Sequence, residues 1–258
     1  MTATVAWIAA TPVKGLRLQH RSEVSLTHDG IPGDRAFFLV DRVGAMVSAT
    51  RVGPLVAVEP EHDAEAGRLA LRFPDGEVVE GAVELAAPES VRFYDEMLSA
   101  HPVTGAFSEA LSEHCGRPLR LFAMPPERPG VDRGREGATT LLSLASLERL
   151  REQAGVPEGV DPRRFRMTFG VDGPGAHEED SWIGRDVRVG DAVLRVGGHV
   201  GRCALTTRQP DTGVVDFKTL HVLQAYRGDM ESTEPLPFGV HAQVVEPGRV
   251  RLGDPVRV

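Results

Sequence analysis

DVRVGDAVLRVGGHVGRCALTT, residues 186–207, decides how the chain is read. Residues 186–189 and 193–196 are apolar strand patterns, and the second runs straight into Gly197-Gly198. Two missing side chains in a row mark a place where another group can approach the backbone. Arg202 and Cys203 follow, then Ala204, Leu205, Thr206 and Thr207. A turn over 209–213 has Pro210 at its first corner and Gly213 at its exit, the chemistry such turns require. Leu220, Leu223 and Tyr226 then stand at helical spacing. A guanidinium beside a thiol favours the thiolate, the form that binds metals or attacks. The plainer alternative is a buried, inert cysteine.

Outward from this stretch the chain reads mainly as strands. Residues 3–10, 22–26, 36–41 and 46–49 alternate or run apolar, with turn chemistry at 28–33 and 42–45. Further strands are expected at 56–59, 68–73 and 78–80, and the same pattern extends through 83–86 and 91–94. Helix enters at 106–115, where Phe107, Leu111 and Cys115 share a face, so Cys115 reads as core. Residues 119–123 form a strand, and 125–137 read as a mobile loop or the seam between halves. A helix is expected at 147–153 with Ser146 as its cap, then strands at 165–171, 240–246 and 250–258. Strands at such short spacing indicate a barrel or sandwich. The expected class is α+β, mainly β, with a few short helices. The expected domains are 1–125 and 126–258, with strands shared between them.

Composition removes several functions. Of 258 residues 41% are hydrophobic and only 5% aromatic, too few for a platform that stacks nucleic-acid bases. A net charge of −8 argues against polyanion binding, so no nucleic acid is expected. No run approaches the ~20 apolar residues that span a bilayer, and no signal peptide is read, so a cytoplasmic protein without a membrane partner is expected. Two distant cysteines make neither a disulfide framework nor a zinc cluster. Only Lys14 and Lys218 among the 29 basic residues are lysine. In a chain that uses Arg so freely, Lys14 marks a point-charge contact that a planar guanidinium would not replace.

GRCALTTRQPDTGVVD (201–216), the LQAYR after it and the closing PGRVRLGDPVRV resemble the signature of the MOSC family, domains related to the C-terminal part of molybdenum-cofactor sulfurases. TPVKGLRLQHRSEVSLTHDGIPGDRAFFLVD (11–41) resembles the β-barrel domain that precedes MOSC in amidoxime-reducing proteins and their bacterial relatives. The resemblance implies an oxidoreductase that uses the molybdenum cofactor (Mo-molybdopterin) and reduces small N-hydroxylated substrates: amidoximes, hydroxylamines or N-oxides. It makes Cys203 both the catalytic residue and the metal ligand, a soft thiolate suited to molybdenum. It places Lys14, Gly15, Arg35, Arg166 and Arg202 at the cofactor, with Ser143 and Ser146 offering hydroxyls and His241 nearby. The cofactor's phosphate and polar pterin call for cations and backbone donors.

The match departs from its relatives in places. Gly15 stands where some have Ser, Phe165-Arg166-Met167-Thr168 replaces an FRPN-like tetrad, and His241 takes a Tyr position. Asp180, in an acidic loop, is a candidate to orient a neighbouring Arg. Two cysteines cannot ligate a four-cysteine cluster. No intrinsic iron–sulfur cluster is therefore expected, and electrons are expected from a separate ferredoxin or flavin reductase. Two other readings use the same residues: a sulfur-transfer protein with a persulfide on Cys203, and a non-catalytic cofactor carrier.

Overall fold

The computed structural model describes residues 3–125, 128 and 133–258. The expected domain boundary after residue 125, and part of the loop read over 125–137, touch residues 126, 127 and 129–132, which lie outside the described residues.

Asp186–Val189 and the longer strand Ala192–Gly201 pair antiparallel, setting Val187 opposite Leu194 and Val189 opposite Ala192. From this hairpin the sheet extends on both sides until it closes. In order, Phe169–Asp172, Thr139–Ser143, Pro237–Glu246, Ala192–Gly201, Asp186–Val189, Pro255–Arg257 and Ala3–Ala10 form a ring of seven strands. Ala3–Ala10 makes the seam, with Thr4 opposite Pro255 on one side and Ile8 opposite Phe169 on the other. Closure leaves no unpaired edge. The alternation seen in the sequence fills the interior, because every second side chain of a strand points the same way. Val187, Leu194, Leu141, Phe169 and Val240 are fully buried there, with Trp182 against them. The first strand of the chain is thus hydrogen-bonded into a barrel otherwise built from residues after 138.

The intervening segment forms its own sheets. Met46–Val47, Phe37–Asp41, Leu119–Ala123, Glu96–Pro102 and Glu89–Phe93 make five strands. Glu59–Asp63, Arg68–Arg72 and Val78–Ala82 make three more. Their shared core holds Leu16, Leu39, Leu55, Leu71 and Leu121. Three α-helices occur among the described residues: α1 (Phe107–Cys115), α2 (Leu144–Ala154) and α3 (Thr219–Arg227). The first packs on the N-terminal core, where burial pushes the Cys115 thiol up to about 11. Leu150 of α2 and Leu223 of α3 pack with Phe165 and Phe238 in a separate cluster. No helix among the described residues is long and apolar enough to cross a membrane.

Four sequence expectations shift for physical reasons. Residues 56–58 are not strand, and the strand expected there begins only at Glu59: Gly53–Ala57 is a 3-10 turn, with proline at its start, where a fixed φ and missing N–H cost nothing. Strand Thr139–Ser143 runs directly into α2, so the helix starts at Leu144 and Ser143 is its cap, accepting from Ala145 N at 3.2 Å. Residues 165–168 are not strand, because Pro162–Phe165 is a 3-10 turn whose end is set by Arg166 in the left-handed region. Tyr94 also sits at φ 54°, at the tip of the hairpin joining Glu89–Phe93 to Glu96–Pro102, rather than in the strand before it.

Candidate functional site

One end of the strand Ala192–Gly201 delivers Arg202 and Cys203 to the wall of a cavity of about 460 Å³. Cys203 is exposed and caps the 3-10 turn Ala204–Thr207. Thr206 and Thr207 spend their hydroxyls on this turn. Thr206 Oγ1 donates to the Cys203 carbonyl at 3.0 Å and Thr207 Oγ1 to the Ala204 carbonyl at 2.6 Å. The turn is fixed from below by Thr219, whose hydroxyl donates to the Thr206 carbonyl at 2.7 Å.

Arg202 anchors the loop. Its Nε donates to the Phe238 carbonyl at 2.9 Å, Nη1 to the Phe165 carbonyl at 2.9 Å, and Nη2 reaches Met167 Sδ at 2.8 Å and also the Phe238 carbonyl. The guanidinium lies 5.4 Å from the Phe165 ring centre. Burial, and then the Arg133 guanidinium, pull its pKa down to about 9. It therefore stays charged at neutral pH, and its charge faces the cavity while its donors hold the wall.

The N-terminal motifs arrive from the opposite side. Lys14 N donates to the Phe37 carbonyl at 2.8 Å and Arg35 N to the Thr11 carbonyl at 2.6 Å, which lays the PVKG and GDR segments side by side. Asp34, buried, accepts from Thr11 N at 2.8 Å and pairs with Arg35. Arg166 Nη2 donates to the Leu16 carbonyl at 2.8 Å, and Arg35 Nη2 to the Arg166 carbonyl at 3.4 Å. Lys14 Nζ, on a nearly buried side chain, lies 5.1 Å from the Tyr94 ring centre. Such placements of a cation over an aromatic face are attractive.

Lys14, Gly15, Arg35, Arg166, Arg202 and Cys203 thus line one cavity. Arg51, Arg133 and Arg164 bring its cationic side chains to seven, and no carboxylate among the described residues lines it. In a chain of net charge −8 this is a local positive field. Hydroxyls complete the wall, with Thr140 and Thr168 bonded to each other at 3.2 Å. Strain gathers here as well. Among the described residues five that are not glycine have positive φ, and three of them, Arg35, Tyr94 and Arg166, line this cavity. Conformations that cost roughly 1–3 kcal/mol each persist where the surroundings enforce them, commonly at functional sites.

Ser143 and Ser146 do not line the cavity. Both are fully buried beside Glu179: Ser143 N donates to its Oε1 at 3.3 Å and the Ser146 hydroxyl at 2.7 Å. The Ser143 hydroxyl donates to the Pro174 carbonyl at 3.1 Å. Their hydroxyls are consumed because the segment turns from strand to helix at that point. His241 also lies off the cavity, with Nδ1 3.2 Å from the Glu136 carbonyl oxygen. Its ring lies against both Gly197 and Gly198. A Cβ at Gly197 would meet His241 Cε1 at 2.8 Å, and one at Gly198 would meet Nε2 at 3.0 Å. The groups that approach the glycines are the chain's own: the His241 imidazole at both, and at Gly198 also the Thr233 hydroxyl, 2.7 Å from the added atom. Asp180 holds Arg227 of α3 through Nη2 at 2.7 Å.

Three cavity residues carried no signal in the sequence. Thr50 reaches the thiol from the loop after Met46–Val47, with Oγ1 3.8 Å from Cys203 Sγ. Tyr94 is one of only two tyrosines and stands at a hairpin tip. Arg133 is held by Glu234, with Nη2 2.7 Å from Oε1, and Glu234 in turn accepts from Gly201 N at 2.8 Å.

A closed barrel presents an exposed cysteine to a cation-lined cavity walled on its other side by an N-terminal β region, an arrangement chemically suited to an anionic group beside a thiol. Residues 128–257 match the MOSC domain and residues 2–118 the MOSC N-terminal beta barrel domain, and the chain belongs to the MOSC domain family. Mitochondrial amidoxime-reducing component 1 of Mus musculus is 38% identical over 122 residues, covering 45% of this chain and 35% of the mouse protein. The match therefore spans about a third of that relative's length. The Xenopus laevis protein of the same name is 28% identical over 286 residues, covering 98% of this chain and 81% of the frog protein. The crystal structure of YuaD from Bacillus subtilis aligns over 99% of this chain and 94% of its own at 14% identity, with a TM-score of 0.45.

Proposed function

We infer that the chain is a molybdenum-cofactor oxidoreductase that reduces N-hydroxylated small molecules. One observation carries this reading: an exposed thiol, Cys203, in the wall of a 460 Å³ cavity with seven cations and no carboxylate among its described lining residues. The cavity suits the cofactor's chemistry, since a terminal phosphate and a polar pterin need cations and hydroxyls, and a soft metal needs a thiolate. Lys14, Arg35 and Arg166 would hold the phosphate, Gly15 lets backbone approach, and Cys203 would ligate the metal. Arg202 contributes charge and holds the Cys203 loop in place.

When bound, the cofactor supplies a two-electron centre able to accept oxygen. The protein's own groups would keep substrate next to Cys203, with the cationic side chains along the wall. For an amidoxime the balance is R–C(NH2)=N–OH + 2 e⁻ + 2 H⁺ → R–C(NH2)=NH + H2O: the N–O bond breaks and the oxygen leaves as water. A separate electron-transfer protein, of the ferredoxin or flavin reductase class, provides the electrons.

Molybdenum and pterin per chain, measured for wild type and Cys203→Ala from a cofactor-producing host, test this reading. Near-stoichiometric metal in wild type and clear loss in the variant are expected, followed by reduction of benzamidoxime with a reduced viologen as donor. Wild type that stays metal-free in such a host overturns the reading, and cyanide-labile sulfur on Cys203 would then identify sulfur transfer instead.

A further inference from the structure

The cavity's cations are not equivalent. Arg35, Arg133 and Arg164 each have a carboxylate partner, in Asp34, Glu234 and Asp216. Arg202 spends its donors on carbonyls and a thioether. Arg51 is different: it is exposed, lines the cavity, and forms no salt bridge with any described residue. Its backbone is nevertheless fixed. Arg51 N and Val52 N both donate to the Ser48 carbonyl, at 3.0 and 3.1 Å, and the Thr50 carbonyl is held by Arg208 Nη2 at 2.8 Å. The residue before it, Thr50, places its hydroxyl 3.8 Å from Cys203 Sγ. An arginine with no carboxylate partner among the described residues therefore lines the cavity from a loop whose backbone is fixed, next in the chain to the residue that meets the exposed thiol.

We propose that Arg51 is a specificity residue that binds the anionic end of the substrate, so that the site selects N-hydroxylated compounds carrying a carboxylate. The inference rests on the reductase reading and names the substrate class within it. A guanidinium grips a carboxylate through two parallel hydrogen bonds, geometry that a neutral substrate does not match. A cleft lined by one sign of charge also concentrates ligands of the opposite sign, an effect that salt screens. Amines and amidines are correspondingly disfavoured, because no described carboxylate lines the cavity to meet them.

The test uses cofactor-loaded protein with a reduced viologen and three substrates of one shape: 4-carboxybenzamidoxime, benzamidoxime and 4-(aminomethyl)benzamidoxime. The expected kcat/KM is about tenfold higher for the anionic than for the neutral compound, mostly through KM, as one guanidinium–carboxylate pair supplies. The cationic compound is expected to rank last. In Arg51→Gln the anionic-to-neutral ratio is expected to fall towards one, in Arg51→Lys to recover in part, and in high salt to shrink for wild type. Turnover with no charge preference in wild type, or a preference that survives Arg51→Gln, overturns this proposal and leaves the reductase reading standing. Failure of the loaded protein to reduce any of the three overturns the reductase reading, and this proposal with it.

Discussion

The Thr50 hydroxyl lies 3.8 Å from the Cys203 sulfur although 153 positions separate the two residues in the chain. The contact is held by Arg208, which donates to the Thr50 carbonyl at 2.8 Å and to the Gly213 carbonyl at 2.7 Å, tying the N-terminal loop to the turn that follows the cysteine. If Cys203 ligates the metal as proposed, this hydroxyl would orient the sulfur as outer partners of other metal-binding side chains do. Thr50→Val is expected to lower the molybdenum retained per chain several-fold after gel filtration, with the fold unchanged. Thr50→Ser is expected to retain wild-type metal content. Equal retention in Val and Ser variants would assign Thr50 to packing alone.

The same junction sets a stability prediction. Gly213 has φ 74°, and a Cβ there would lie 2.0 Å from the Gly53 carbonyl oxygen. Gly44 has nearly the same dihedral, 78°, with nothing within 4 Å of the added atom. Gly44→Ala is expected to cost about 1 kcal/mol for the left-handed backbone alone. Gly213→Ala adds a backbone clash and is expected to cost about 3 kcal/mol or more. Urea unfolding of the two variants separates strain from clash, and equal losses would show that the Gly53–Gly213 contact gives way freely.

What the sequence disclosed follows the range of the forces involved. Alternation over 186–196 marks a strand pair because side-chain direction is a local property, and Cys203 stands out because Arg202 and the glycines are its neighbours in the chain. Lys14, Arg35 and Arg166 came from motif resemblance, and the hydrogen bonds between residues 11–16 and 34–37 explain why those motifs lie together. Thr50 and Tyr94 were illegible, since nothing near them in the chain announces a partner so remote in sequence. Ser143 and Ser146 misled for the converse reason. A helix start needs a hydroxyl cap, and a buried carboxylate needs donors, so serines in a promising segment were already occupied.

Arg202 shows how a charge serves two purposes, and replacing it separates them. Lysine keeps the positive charge but offers its donors from one nitrogen, so it cannot span the Phe165 and Phe238 carbonyls and the Met167 thioether together. Arg202→Lys is expected to lose about 2 kcal/mol of stability from carbonyls left without a donor. Thermal unfolding reads this loss. Metal content should fall with it, because the Cys203 loop loses its anchor; a stable variant with full metal content would limit Arg202 to its charge.

Glu179 is fully buried, and burial raises its pKa from 4.5 to about 7, against the opposing hydrogen bond from Ser146. Between those two values the folded chain holds a proton that the unfolded chain has lost. Its contribution to stability is therefore complete below about 4.5 and is lost as the pH rises through about 7. His177 has the opposite sign. Burial, and then Arg227, lower its pKa from 6.5 to about 4, so its contribution is complete above 6.5 and lost as the pH falls through 4. Glu179→Gln keeps an oxygen to accept from Ser146 and removes only the titration, while His177 is common to both proteins. The difference in melting temperature should therefore move in the variant's favour from about pH 5 to about pH 8, equivalent to on the order of 2–3 kcal/mol. Parallel curves for the two proteins across that interval would mean that Glu179 titrates like an ordinary carboxylate despite its burial.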